Sequence, residues 1–182
     1  MLSMGIHALA PQPGTSKRAP GHKIHPYLLR KLSITRANHV WALDTTYIPM
    51  ARGFVYLTAV VDVASRMVLA HKVAITLEAC HAKEVLEAAF ARYGTPEIVN
   101  TDQGSQFTAL EFTDAVLARG CKLSMDGRGA WRDNVFVERI WRSVKYERVY
   151  LNAYEAVSAA RADIADYLYW YNTQRPHSRL ER

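Results

Sequence analysis

Three carboxylates have the types and spacing to do chemistry: Asp44 in VWALDTTYI, Asp102 in NTDQGSQF and Glu138 in DNVFVERIWRSVKYE, the last two separated by 35 residues. Magnesium takes oxygen ligands and keeps several waters, so a few carboxylates converging from different elements suffice to hold it. Two such ions about 3.5–4 Å apart can clamp the attacking and leaving oxygens of an in-line displacement at phosphorus. The three acids are therefore read as ligands for Mg2+, with Mn2+ as substitute, in a phosphoryl-transfer site that needs oxygen donors and no side-chain nucleophile. Singly, each has an ordinary role available. A strand Asp can be structural, a turn Asp bonds its own backbone, and a Glu on a polar helix face is usually a solvated charge. Weight comes from the joint arrangement of strand Asp, strand-end Asp and helix-borne Glu.

The elements that must position them follow from periodicity. From His39 three strand-like runs, HVWALDTTYI, FVYLTAVVD and RMVLAHKVA, are joined by turns short enough for an antiparallel meander. LEACHAKEVLEAAFARYG sets Ala79, Ala82, Val85, Leu86, Ala89 and Phe90 at helical spacing and stops at Gly94 and Pro96. EIVNTD predicts a fourth strand, FTALEFTDAVLARG one helix ending at Gly120, and CKLSMD a fifth strand. The order βββαβαβ predicts an α/β fold, a five-stranded mixed sheet flanked by helices, in which the first and fourth strands can lie side by side. Asp133 or Asn134 can cap a further helix through about Tyr150. Its Phe136, Val137, Ile140 and Val144 share one arc, with Glu138 opposite beside Asn134, Arg142 and Lys145. AYEAVSAARADIADYLYWYN is a last helix, closed by Pro176.

The formal net charge of +6 lies wholly in residues 1–38, which hold six Lys or Arg and no acid; the remaining 17 bases and 17 acids cancel. With four of the seven prolines as well, this stretch reads as a basic arm preceding a core over residues 39–182. Lys17, Arg18 and Lys23 are its candidate phosphate contacts. HKIH has no partnering CxxC, which argues against zinc, and Cys80 and Cys121 read as reduced thiols. No charged start precedes an apolar run, and Asp62 interrupts the most apolar stretch, so no export signal and no membrane span are expected.

WALDTTYI, NTDQGSQF, SMDGRG, DNVFVERIWRSVKYE and YNTQRPHS, in this order over roughly Asn38 to Leu180, resemble the integrase-like catalytic core of bacterial insertion-sequence transposases, above all insertion sequence family three, whose second reading frame encodes this core. The resemblance implies a ribonuclease-H-like fold and a DDE active site in which Asp44 is the first catalytic Asp, Asp102 the second and Glu138 the Glu. It implies a metal-dependent polynucleotidyl transferase that cuts a phosphodiester at a transposon end and joins the freed 3′-hydroxyl to target DNA, without a covalent protein intermediate. The partners implied are the transposon ends and target DNA, a homo-oligomer assembled on them, and an upstream helix-turn-helix segment or subunit. The place of action would be the bacterial cytoplasm, at the nucleoid. No helix-turn-helix pattern precedes His39 and the chain stops soon after RPHS, which predicts a truncated reading frame or an excised domain.

Other positions are read as DNA contacts against an ordinary structural role. Ser105 and Gln106 follow Asp102 and could touch DNA near the cut, or only turn the chain into its helix. Arg128 and Arg132 could grip phosphate and Trp131 stack on a splayed base, or merely close the loop between Gly127, Gly129 and the helix. Arg142 and Lys145 share the side of Glu138, where phosphate contact competes with plain surface charge. The run Tyr167 to Tyr171 reads as core, and Arg175 and His177 in QRPH receive no chemistry. Two other functions remain compatible: a non-catalytic remnant that binds DNA or the full-length transposase, and a ribonuclease H, which the 35-residue spacing disfavours.

Overall fold

Val, Thr, Tyr and Ile dominate the run Val40–Pro49, and their preference for a pleated, half-buried surface makes it the longest strand, β1. The computed structural model describes residues 25–126 and 135–175. In it β1 pairs antiparallel from Trp41 to Pro49 with β2 (Phe54–Asp62), and β2 in turn with β3 (Val68–Ala74). Helix α1 (Ala79–Tyr93) then returns the chain to the other side of β1, where β4 (Ile98–Thr101) and β5 (Lys122–Met125) add in parallel. The five-stranded mixed sheet has the order β3-β2-β1-β4-β5. The expected meander and the expected pairing of the first and fourth strands are both present.

Alternation along the strands sorts the core into two layers. Trp41, Leu43, Val60 and Val99 pack with α1 and with the helices between β4 and β5. Val40, Ala42, Leu57 and Ile98 pack with α4 (Val135–Glu147) and α5 (Val157–Thr173) on the opposite face.

Three expectations need correction. The single helix drawn over FTALEFTDAVLARG is two, α2 (Ser105–Thr108) and α3 (Leu110–Leu117), broken at Ala109, whose ψ is 142°. On one straight helix Phe107 and Phe112 would point about 140° apart. The break lets both bury completely, with their rings in edge contact at 5.3 Å. Helix α4 ends at Glu147 and passes into a 3-10 turn, Val149–Leu151, rather than running to Tyr150. Helix α5 begins at Val157, not Ala153, because Tyr154 is buried, accepts the Ala51 amide on its carbonyl and donates its hydroxyl to Asp163.

Residues 25–38, grouped by composition with the basic arm, lie against the domain. The Met125 amide donates to the Pro26 carbonyl and the Leu28 amide to Ser124 Oγ, so the strap covers the outer edge of β5. Leu29 is buried in the α4–α5 layer, and Tyr27, Leu32 and Ile34 pack beside it. Arg36 pairs with Glu97. The aromatic run in α5 divides at helical spacing: Tyr167, Leu168 and Tyr171 are buried, while Tyr169 is 69% and Trp170 38% exposed.

Candidate active site

β1 and β4 run parallel with Ala42 opposite Asn100. Two residues further along each chain stand Asp44, still in β1, and Asp102, just past the end of β4. Side chains two apart in a strand share a face, so Asp44 lies on the Ala42 face, the one that α4 covers, and Asp102 stands near enough to repel it. β4 ends at Thr101, which puts Asp102 at the mouth of the strand where the chain turns towards α2. Glu138 occupies the first turn of α4 on its exposed side, while Val137, Ile140, Trp141 and Val144 bury the other.

Both oxygens of Asp44 are engaged: Oδ1 accepts the Thr45 amide and Oδ2 accepts the Trp141 indole N–H, each at 2.8 Å. Burial pushes the Asp44 carboxyl up to about 7 from 3.8; Trp141 and Thr45 oppose the rise by bonding to the charged form, and the negative charges of Asp102 and Glu138 add to it. Burial raises Asp102 as well, against the pull of the Gly104 amide that bonds its Oδ1 at 2.8 Å. The loop after Asp102 is tight. A Cβ at Gly104 would fall 2.7 Å from Gln106 Oε1 and 2.9 Å from Asp102 Oδ1, so any larger residue would push the Gln106 amide or the Asp102 carboxylate aside. Gln103 Nε2 reaches the Asp126 carbonyl and Asn100 Nδ2 the Asp126 carboxylate, each at 3.0 Å, tying this loop to the exit of β5.

Asp102 and Glu138 thus each stand within electrostatic reach of Asp44. Among the described residues, no three His, Cys, Asp or Glu side chains form a closed group able to hold an ion. The donor chemistry nonetheless suits magnesium, which is commonly held by one or two carboxylates, with water and substrate phosphate completing its shell. Repulsion of Asp44 by two neighbouring anions is also what a cation would relieve.

Of the other expected contacts, Ser105 is exposed, whereas Gln106 is buried with its amide under Gly104, where it braces the loop. Arg142 is exposed over the Tyr146 ring at 5.7 Å. Lys145 is half-buried; burial lowers its ammonium and the nearby Asp44 opposes this, which places Lys145 on the acidic side of α4. Lys17, Arg18, Lys23, Arg128, Trp131, Arg132, His177 and the caps Asp133 and Asn134 lie outside the described residues.

Two features went unread in the sequence. Trp141 bonds directly to Asp44; its signal was the indole N–H, which must find an acceptor when a Trp is buried. Arg175 is bonded to Glu147, with Nη2 at 2.8 Å from Oε1, and Tyr167 donates to the same carboxylate at 2.6 Å. The Arg of QRPH therefore clamps the end of α4 to α5, a role that sequence spacing does not reveal.

Comparison with known proteins places this geometry. The Integrase core domain family matches residues 34–130, and a second family of the same description matches residues 119–182. The transposase for insertion sequence element IS904 of Lactococcus lactis is 31% identical over 160 residues, covering 86% of this chain and 63% of that protein. The transposase InsF for insertion sequence IS3A of Escherichia coli is 30% identical over 167 residues, covering 90% and 58%. The chain thus spans about three fifths of the length of these curated relatives. Among solved structures, the HTLV-2 integrase catalytic core domain in complex with magnesium aligns with a TM-score of 0.62 and 22% identity over 78% of this chain and 91% of that one. The simian T-cell lymphotropic virus intasome aligns at 0.66 with 20% identity over 92% and 59%. These likenesses identify the fold as ribonuclease-H-like.

Proposed function

The chain belongs to the integrase core domain family, and on that premise we propose that it is the catalytic core of a DNA transposase, cleaving phosphodiesters at transposon ends and joining the freed 3′-hydroxyl to target DNA. The observation that carries the reading is the parallel β1–β4 pairing that sets Asp44 near Asp102, which follows β4, beside the helix that bears Glu138. Similarity to two insertion-sequence transposases supports it.

Asp44, Asp102 and Glu138 would hold divalent metal, Mg2+ or Mn2+, with two ions in the complete site. When bound, the metal supplies Lewis acidity and positive charge at the phosphoryl oxygens. The chain's own work is positioning. Asp44 is held by two donors from two elements, so its remaining lone pairs have a set direction. Asp102 is fixed by the Gly104 amide in a loop braced from β5. Lys145 and Arg142, along α4 from Glu138, would meet DNA phosphate, as would exposed Ser105. Holding the 3′-hydroxyl in line with the target phosphorus converts an encounter into a near-attack arrangement. Two ends must be joined, so a homo-oligomer on DNA is part of the proposal, with end recognition by a helix-turn-helix segment or subunit, in the bacterial cytoplasm.

The test is to incubate the chain with pre-cut end oligonucleotides, target DNA and Mn2+. Joined products are expected from the wild type and none from Asp102→Asn, with DNA affinity retained. Undiminished joining by that variant would remove Asp102 from the mechanism. DNA binding without metal-dependent products would instead indicate a non-catalytic remnant, and cleavage of RNA–DNA hybrids a ribonuclease H.

A further inference from the structure

Trp141 lies one turn beyond Glu138 on α4 and is 6% exposed, yet its polar atom points to the site. Its Nε1 stands 2.8 Å from Asp44 Oδ2, a bond between residues 97 apart in the chain that joins the helix to the central strand. A buried indole N–H needs an acceptor, and a neutral carbonyl would satisfy it. Here the acceptor is a carboxylate already facing two other acids.

Two consequences follow from that choice. The carboxylate plane of Asp44 is fixed from both sides, by Thr45 on Oδ1 and Trp141 on Oδ2, so one lone pair of each oxygen is committed to an N–H and the others are directed. The seat of α4 on β1 is fixed as well, because the bond forms only at one rise and rotation of the helix. Glu138, three residues earlier on that helix, is carried to its place by the same contact. Ordinary packing by Val137, Ile140 and Val144 would hold the helix down without setting its rotation so closely.

We infer that Trp141 is a positioning residue whose indole N–H orients the Asp44 carboxylate for a divalent cation and sets the helix of Glu138 against it. The inference rests on the metal-site reading of Asp44. Groups that bond and orient a metal ligand typically change metal affinity by about 10–100-fold when removed. Packing alone would not do so.

Trp141→Phe keeps an aromatic ring and deletes the N–H. Mn2+ titrated into the metal-free chain, read by the electron-spin signal of free Mn2+, is expected to bind this variant about tenfold or more weakly than wild type. The thermal midpoint of the metal-free variant should stay within a few degrees. Equal Mn2+ affinity in the two proteins would overturn the inference. The bond itself is read without metal and without altering Trp141: in wild type against Asp44→Ala, one of the four indole N–H proton resonances should move upfield on loss of its anionic acceptor. Four unmoved resonances would overturn the inference even if Trp141→Phe failed to fold. A wild type that bound no Mn2+ would overturn the metal reading and this inference together, while the resonance shift would still decide whether the bond exists.

Discussion

On the α1 side of the sheet, Trp41, Leu43 and Val99 are fully buried with Phe107, Phe112 and Val116 in one apolar cluster. On the α4 side, β1 and the end of β4 carry Asp44 and Asp102 into a half-buried region where burial opposes the ionisation of both and like charge that of Asp44. One layer gains free energy from every side chain it removes from water. The other, beside an apolar core of its own, holds charges the fold would be more stable without, at the place where they can act. Both faces carry apolar core, but only the α4 side also carries the acids, so substitutions of buried apolar residues and of the acids should move stability and chemistry in opposite directions.

The largest expected effect is that of Asp102→Asn on strand joining. Loss of at least about a thousandfold is expected, the scale on which removing one group aimed at the transition state acts. The same variant should raise the thermal midpoint of the metal-free chain at pH 8, because a charge near Asp44 is gone and the side-chain oxygen can still accept the Gly104 amide. A lowered midpoint would break the comparison.

Phe112→Ala, on the other face, should do the reverse. A fully buried Phe contributes about 3–5 kcal/mol by the cost of its truncation. Denaturant unfolding should show that loss, while joining per folded molecule stays within about twofold of wild type. A specific loss of joining well below the unfolding transition would show that the apolar face is not merely structural.

The pH dependence of stability sharpens the contrast. Asp44 titrates near 7 in the folded chain and near 3.8 as an ordinary Asp, so between those values the native state holds a proton that the unfolded chain has lost. The Asp44 contribution to stability, read as metal-free wild type minus Asp44→Asn, should therefore fall as pH rises from about 4 to about 7 and level off above; in the whole protein Asp102, also raised by burial, adds to the fall and His71, lowered by burial, opposes it. Millimolar Mg2+ should reverse the loss at pH 8, measured by denaturant midpoint. A rise of that wild-type-minus-variant difference across this window would contradict the assignment of Asp44 as the strained acid.

The smallest effect belongs to Arg175→Ala. Its ion pair with Glu147 is partly exposed, so removing it should cost about 0.5–1 kcal/mol, with Tyr167 still bonded to Glu147.

What the sequence revealed follows the same division. The strands of the meander were legible because β-branched and aromatic residues mark them, and α1 because its apolar residues recur at helical spacing over four turns. The three acids were legible only together, as a strand Asp, a strand-end Asp and a helix Glu. Illegible features depended on contacts between distant residues. Phe107 and Phe112 meet by breaking a helix that propensity would continue. Leu29 and its neighbours belong to the core, although proline content and charge grouped them with the arm. Trp141 drew no reading from its spacing, and Gln106 was a candidate DNA contact or turn residue, until three-dimensional packing showed where each side chain ends.

The central claim is that the sheet and α4 assemble a cation site between strands β1 and β4. A crystal structure of the chain grown with Mn2+, with the metal located by its anomalous signal, tests it most directly. Expected is a peak between the Asp44 and Asp102 carboxylates, at about 2.1–2.3 Å from their oxygens, with Glu138 turned towards it. Manganese bound elsewhere, or no peak at millimolar concentration while Asp44 and Asp102 keep only their protein partners, would contradict the account.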